Sequence, residues 1–171
     1  HSTRRRQRQM CIRDSHFAAE PIFGLWIGGK AERVRQTRVD LTHQIAEKLT
    51  SLPESERPKL FVSASGVGFY GDRGDEVLPE TAEGQANHYF GQLVHDWEAE
   101  AGSTAQAGIR SVQARLGVVL GLGSPACKLL GTVFKLGVGG RLGSGKQWFS
   151  WIHIDDPVSY THLTLPTTCT V

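Results

Sequence analysis

The residues of this chain that could do chemistry are concentrated in residues 60–76, which read LFVSASGVGFYGDRGDE. An apolar run from Lys59 to Ser63 predicts a buried strand, which is followed by small hydroxyl residues, an aromatic–tyrosine–glycine turn and an acidic loop. In an α/β sheet, ligands bind beyond the carboxyl ends of the strands. We therefore expect the hydroxyl groups of Ser63 and Ser65 to lie where they can reach a cofactor or a substrate.

Arg38 is a second residue that could take part in chemistry, because it lies between Val34 and Leu41 on the apolar stripe of a predicted helix. A buried guanidinium without a partner is costly, so Arg38 needs an anion there. Either a protein carboxylate or a ligand phosphate could supply it, and the planar guanidinium suits a phosphate well. The alternative is a side chain that runs along the helix edge and keeps its charged end in water.

Helices and strands alternate along the part of the chain that must position these residues. The pattern predicts helices over 30–52 and 87–101, strands over 59–63, 109–116 and 149–154, and a turn over 117–121. This order is typical of an α/β fold in which crossover helices connect parallel strands. The interior of about 140 residues suits one domain or part of a larger one.

The two ends of the chain differ from its interior. Residues 1–15 contain five arginines and one aspartate, whereas residues 158–171 contain no charged side chain. Both resemble translated adapter or vector sequence, so we expect a domain over 16–157 between two non-native flanks, the alternative being a natural basic arm and polar tail. Without the flanks the net charge changes from +2 to −2, so we expect no nucleic-acid partner.

Cysteine content and hydropathy narrow the class of protein further. Cys127 is the only cysteine of the expected domain, so an internal disulfide is excluded, and no spacing of Cys and His suggests a zinc site. No apolar run approaches the roughly 20 residues that span a bilayer. We expect no bound metal, no membrane contact and an intracellular reducing compartment, while the oligomeric state stays open.

Residues 60–76, together with the motif Trp-Ile-His-Ile-Asp-Asp at 151–156, resemble the extended short-chain dehydrogenase/reductase superfamily. More narrowly, they resemble its atypical branch, the NAD-dependent epimerase/dehydratase-like family. The resemblance implies a Rossmann-like parallel sheet and NADP as the cofactor. The sequence near Phe17 has no Gly-x-Gly-x-x-Gly turn of the kind that holds the pyrophosphate. We therefore expect a partial sheet that lacks the N-terminal glycine-rich βαβ unit.

The resemblance also implies a set of residues that contact the cofactor. The tripeptide at 37–39 matches the place where the family has an arginine that faces the nucleotide, and residues 115–121 resemble the segment that passes the nicotinamide. The segment that begins at Phe17 resembles the one under the adenosine. The expected cofactor-binding residues are Phe17, Ala18, Arg38, Ser63 and Val119.

The catalytic residues of the superfamily are matched only in part. Many members use a Ser, a Tyr and a Lys four residues after the Tyr, which lets the phenol move a proton near neutral pH. Here Phe90 and Val94 occupy the Tyr and Lys positions in one register, and Tyr89 and Leu93 in the other. Residues 74–109 contain no Lys or Arg at all. The expected catalytic residues are Ser65 and Tyr89, with Tyr70, His88 and His95 as further acid–base candidates.

Two functions are compatible with this pattern. The first is part of an NADP(H)-dependent oxidoreductase or epimerase-like enzyme that acts on an unknown small molecule. The second is an NADP(H)-binding protein whose degenerate site carries out no turnover, because the Tyr-x-x-x-Lys motif is absent.

Overall fold

The structure is a computed structural model that describes residues 14–16, 19–141 and 143–156. Contacts between residues divide the chain into two compact units, and the division falls after Arg115. Among the described residues, no helix combines the length and apolar character that a membrane span requires.

A three-stranded sheet forms the centre of the first unit. Its strands, in the order in which they pair, are β1, Asp14–His16, β2, Leu60–Gly66, and β3, Arg110–Leu116. β1 runs parallel to β2, with Asp14 beside Phe61. The N–H of Arg110 donates to the carbonyl of Lys59 at 3.2 Å, so β2 and β3 also start side by side. The carboxyl ends of all three strands therefore lie at one edge, which confirms the predicted parallel α/β sheet.

The first strand begins earlier than the sequence boundary suggests. β1 includes Asp14 and Ser15, which pair with Phe61 and Val62 of β2 although the sequence assigns them to the flank over 1–15. The other residues of both expected flanks lie outside the described residues, so the boundaries of the domain stay a prediction.

The first predicted helix is present, but it contains a local change of helix type. Helix α1, Lys30–Arg35, continues through a π-helical turn, Gln36–Asp40, into helix α2, Leu41–Ser51. The hydroxyl of Thr37 lies 3.0 Å from the carbonyl of Arg33 and competes for an acceptor that the helix backbone uses. Such turns occur often at functional sites, and this one contains Arg38.

Helix α3, Tyr89–Gly102, packs against α2 and β2 and closes the core of the first unit. One buried cluster joins the helical run to β2 and α3 and contains Val34, Val39, Ala64, Leu93 and Trp97. The other joins α2, β2 and α3 to the start of β3 and contains Leu49, Phe61, Ala101 and Ile109. Inside this core, the indole N–H of Trp97 donates to the Thr42 hydroxyl at 2.9 Å.

The second unit contains a parallel pair of short strands and a helix. Strand β4, Val118–Leu120, pairs with strand β5, Trp151–His153, and helix α4 covers Pro125–Lys135. The turn predicted over 117–121 is therefore wrong in its centre, where the chain forms β4. The sequence could not show this strand, because three residues between two glycines are too few to show a strand period. At Gly117, a Cβ would lie 2.6 Å from the carbonyl oxygen of Ser150, so only glycine allows this close pairing.

The hydrogen bond between Trp97 and Thr42 gives a test of the core. Thr42→Val keeps the side-chain volume but leaves the buried indole N–H without an acceptor, and we expect a loss of about 1–3 kcal/mol in the free energy of unfolding. Thr42→Ser keeps the hydroxyl and should lose about 1 kcal/mol for the missing methyl. Urea denaturation measures both. In a Trp97→Phe background, Thr42→Val should cost clearly less, and an equal cost in both backgrounds contradicts the assignment.

The ion pair between Arg35 and Asp96 gives a test that depends on pH. Arg35 Nη1 lies 2.5 Å from Asp96 Oδ2, and this hydrogen bond lowers the pKa of Asp96 below its ordinary value of 3.8. A lowered pKa stabilises the folded state above the unfolded-state value, and the effect is lost as the pH falls through the lowered one. Asp96→Asn should therefore cost up to about 1 kcal/mol at neutral pH, because the pair is partly exposed.

The cost of Asp96→Asn should shrink towards zero when denaturation is repeated in acid. Glu54→Gln is the matched control, since Glu54 lies in an exposed turn, and it should show no change at either pH. If Asp96→Asn lowers the free energy of unfolding as much in acid as at neutral pH, the ion pair is not the cause of the loss.

Candidate functional site

The turn after β2 and the start of helix α3 lie together at the carboxyl edge of the first sheet. Residues Val67–Tyr70 form a single 3₁₀ turn directly after β2. A Cβ at Gly68 would lie 3.9 Å from the Cβ of Phe90 and 4.0 Å from Cγ2 of Val94. Phe90 and Val94, which replace the Tyr and Lys of the superfamily in one register, therefore present apolar groups to this turn.

A hydrogen-bond network at this edge joins Ser65, Tyr70, Glu98 and Arg115, and we call it the edge network. Ser65 is buried, and its hydroxyl donates to Oε1 of Glu98. Nε and Nη2 of Arg115 donate to the two oxygens of the same carboxylate at 2.8 Å each. Nη1 of Arg115 donates to the Tyr70 hydroxyl at 2.9 Å and to the carbonyl of Glu80 at 3.0 Å.

Arg115 is held as a permanent cation in the edge network. The hydrogen bond to Glu98 raises the pKa of Arg115 above its ordinary value, and this effect exceeds the opposing effect of burial. Its guanidinium also stacks 3.5 Å from the ring centroid of Phe69, which in turn stacks on His95 at 4.4 Å. Nε2 of His95 is buried and has no hydrogen-bond partner among the described residues.

Two members of the edge network, Glu98 and Arg115, were missed as site residues by sequence reasoning. A usable signal exists, because the stretch 74–109 holds Glu98 beside the core residue Trp97 but contains no cation of its own. A carboxylate that the helix carries towards the core needs a partner from another element. Arg115, at the end of the predicted strand 109–116, is one of the few cations available.

Tyr89, the predicted partner of Ser65, has other contacts. Its hydroxyl donates to the carbonyl of Ala31 at 2.7 Å, whereas Ser65 donates to Glu98, and no hydrogen bond joins the two within the described residues. Burial raises the pKa of Tyr89, and the nearby charge of Arg38 only partly opposes this. The structure therefore does not bring together the two predicted catalytic residues, although each lies at the predicted element end.

Arg38 lies beside the segment that leaves β1. Its Nη1 donates to the carbonyl of Glu20 at 3.0 Å and to that of Val34 at 3.4 Å, while the N–H of Glu20 donates to the hydroxyl of Thr37 at 3.0 Å. Thr37 and Arg38 thus fix Glu20 through both its backbone groups. Burial lowers the pKa of Arg38, and its guanidinium lies 5.7 Å from the ring of Trp97.

The remaining predicted contacts of the cofactor have different surroundings. Ser63 is completely buried, and its hydroxyl donates to the carbonyl of Ala64 at 3.1 Å. Val119 is half-buried in β4 of the second unit, opposite Ile152. Phe17 and Ala18 lie outside the described residues.

Other kinds of site find little support in the described part of the chain. It contains no group of three or more His, Cys, Asp or Glu side chains that could hold a metal ion. Two surface depressions of about 540 and 380 Å³ lie along α2 and its neighbours, and neither is lined by a predicted site residue. Neither depression is lined by a member of the edge network.

No family model matches the chain, but curated proteins and solved structures do. The chain is 33% identical over 162 residues to the epimerase family protein SDR39U1 homolog of Arabidopsis thaliana, covering 91% of this chain and 46% of that protein. It is 32% identical over 141 residues to the Bacillus subtilis epimerase family protein YfhF, covering 82% and 46%. The chain thus spans about half the length of the curated relatives it matches.

The solved structures to which the chain is similar are also those of epimerase proteins. Human epimerase family protein SDR39U1 in a crystal structure with NADPH has a TM-score of 0.74 and 31% identity, over 90% of this chain and 52% of that one. The nucleoside-diphosphate sugar epimerase of Corynebacterium glutamicum has a TM-score of 0.67 and 35% identity, over 82% and 30%. On sequence and fold together, the chain belongs to the NAD-dependent epimerase/dehydratase-like family, an atypical branch of the extended short-chain dehydrogenases/reductases.

Proposed function

We propose that this chain is part of an NADP(H)-dependent oxidoreductase or epimerase-like enzyme, and that Arg38 binds a phosphate of the cofactor. The observation that carries the proposal is the half-buried cationic side chain of Arg38, which binds the backbone of Glu20 four residues after β1 ends. Ligands of α/β sheets bind beyond the carboxyl ends of the strands. The relative crystallised with NADPH supports the choice of cofactor.

The surroundings of Arg38 fit an anionic ligand. Its protein acceptors are two backbone carbonyls, and no carboxylate of the described residues lies within ion-pair distance of its guanidinium. Burial disfavours the charged form of Arg38, yet an arginine stays protonated in proteins. Its N–H groups that have no acceptor among the described residues are therefore donors that a phosphate would satisfy in a bidentate manner.

When bound, the cofactor supplies or accepts a hydride at the substrate carbon. The residues of this chain would bind and orient it. Thr37 and Arg38 hydrogen-bond to the backbone of Glu20, so Glu20 is held in place by contacts within the protein itself. Contacts that hold a residue in place reduce the conformational entropy that binding must offset.

A second candidate function is binding of NADP(H) without turnover. It is favoured by the apolar groups that Phe90 and Val94 present to the turn after β2. It is also favoured by the hydroxyl of Tyr89, which is engaged with a backbone carbonyl.

Binding of the cofactor to Arg38 can be measured on this chain by saturation-transfer difference NMR with NADPH and with NADH. We expect Arg38→Gln to weaken NADPH binding about tenfold, because a hydrogen bond to a charged group contributes about 1.5–3 kcal/mol. Lys48→Gln is the control in the same helical run, since Lys48 is an exposed cation of α2.

The pattern of the loss identifies the phosphate. An equal loss for NADPH and NADH assigns Arg38 to the pyrophosphate, and a loss for NADPH alone assigns it to the 2′-phosphate. Unchanged binding by Arg38→Gln, or an equal loss in Lys48→Gln, contradicts the proposed role.

Turnover separates the two candidate functions. The full-length protein that contains this chain is incubated with NADPH and a panel of carbonyl compounds and sugar nucleotides, and oxidation of NADPH is followed by its absorbance. We expect oxidation that depends on one class of substrate. Measurable NADPH binding with no oxidation by any member of the panel favours the binding protein over the enzyme.

A further inference from the structure

We propose that Tyr70, activated by Arg115, is the residue that moves a proton in this site, in place of the absent Tyr-x-x-x-Lys pair. The inference rests on the proposed oxidoreductase function and names an acid–base residue for it. It follows from the contacts of the edge network.

The guanidinium of Arg115 is directed at the phenol oxygen. Nη1 of Arg115 donates to the Tyr70 oxygen at 2.9 Å, so that oxygen is an acceptor in this contact. A cationic donor aimed at an oxygen stabilises the negative charge that develops there when its proton leaves. The phenol O–H itself donates to no acceptor among the described residues, so its proton is available to a ligand.

The carboxylate of Glu98 does not cancel this effect. It binds Nε and Nη2 of Arg115, whereas Tyr70 binds Nη1, which contacts no carboxylate of the described residues. The positive end of the ion pair therefore faces Tyr70. Because two parallel hydrogen bonds fix a guanidinium in one orientation, Glu98 acts as a positioning residue for Arg115.

Two further contacts keep Arg115 in place. Its Nη1 also donates to the carbonyl of Glu80, and its planar group stacks on Phe69. Ser65 donates to the same carboxylate as Arg115, which places the hydroxyl at the end of β2 in one network with the phenol of the following turn.

Tyr89 lacks this arrangement. Its hydroxyl donates its proton to the carbonyl of Ala31, and burial raises its pKa. A raised pKa makes a phenol a weaker acid near neutral pH, which is the opposite of what proton transfer requires. Among the described residues, the tyrosine that accepts a hydrogen bond from a cation is Tyr70.

The proton balance of the reaction assigns a step to Tyr70. A carbonyl carbon that gains a hydride becomes an alcohol only when its oxygen also gains a proton. Oη of Tyr70 gives up that proton, the O–H bond breaks, and the resulting phenolate keeps its hydrogen bond from Nη1 of Arg115. A proton from solvent then restores the phenol, and oxidation of an alcohol follows the same path in reverse.

Chemical labelling tests this assignment without any substrate or cofactor. N-acetylimidazole acetylates tyrosine through the phenolate, and mass spectrometry of peptides reports the initial rate at each tyrosine. The rate at about pH 7.5 divided by the rate at about pH 11 cancels differences in accessibility. We expect this ratio to be about tenfold larger for Tyr70 than for Tyr89, the effect of one charge-assisted hydrogen bond.

Variants identify Arg115 as the cause. Arg115→Gln should reduce the Tyr70 ratio about tenfold and leave the Tyr89 ratio unchanged, whereas Arg110→Gln, which alters an exposed arginine of the same strand, should change neither. If Arg115→Gln does not fold, as shown by circular dichroism, Glu98→Gln keeps the cation but releases its orientation and should reduce the Tyr70 ratio. A Tyr70 ratio no larger than that of Tyr89, or one that neither folded variant reduces, overturns the proposal.

The labelling result is independent of the proposed function. Unchanged NADPH binding by Arg38→Gln would refute the cofactor site and leave the labelling ratios untouched. Equal labelling of the two tyrosines would refute the role of Tyr70 and leave NADPH binding untouched.

Discussion

The ion pair between Glu98 and Arg115 is the interaction on which the candidate site depends. It connects helix α3 to strand β3, and both side chains are largely withdrawn from water. Removing one partner from such a pair leaves the other charge without compensation, which is strongly destabilising when the site is buried. Ser65 and Tyr70 hydrogen-bond to the two members of this pair, which thus connects the end of β2 and the turn after it to α3 and β3.

The core and the proposed cofactor side of the first unit are connected through Trp97. Its ring packs in the cluster beneath β2, its N–H is satisfied by Thr42 on α2, and its face lies near the guanidinium of Arg38. Arg38 then fixes Glu20 after β1. Because each step is a direct contact, the position of the cation at the sheet edge is set by packing in the interior of the unit rather than by a flexible loop.

Much of the first unit could be predicted from periodicity, because its helices and strands are long enough to show a pattern. The helical run from Lys30, helix α3 and strands β2 and β3 lie within a few residues of their predicted bounds. The local exceptions could not be found in this way. The π-helical turn depends on the hydroxyl of Thr37 competing for a backbone carbonyl, and β4 exists only through its pairing with β5.

The candidate site was harder to predict than the fold. Position along the chain placed Ser65 and Tyr89 at the correct element ends, but hydrogen-bond partners depend on how α3 packs on the sheet. The pairing of Glu98 with Arg115 joins helix α3 to strand β3, which follows it along the chain. The sequence shows that a cation is missing from residues 74–109, but only the packed structure shows which cation from outside that stretch lies beside a tyrosine.

The π-helical turn sets the rotational phase of the whole helical run. Each residue advances an α-helix by about 100°, and a π turn accommodates one residue more than the regular spiral does. The apolar faces of α1 and α2 can both meet the core only because this extra residue takes up the difference between them. Loss of a single residue between Gln36 and Asp40 would therefore rotate one half of the run against the other, and the guanidinium of Arg38 would no longer point towards the strand exit that it binds.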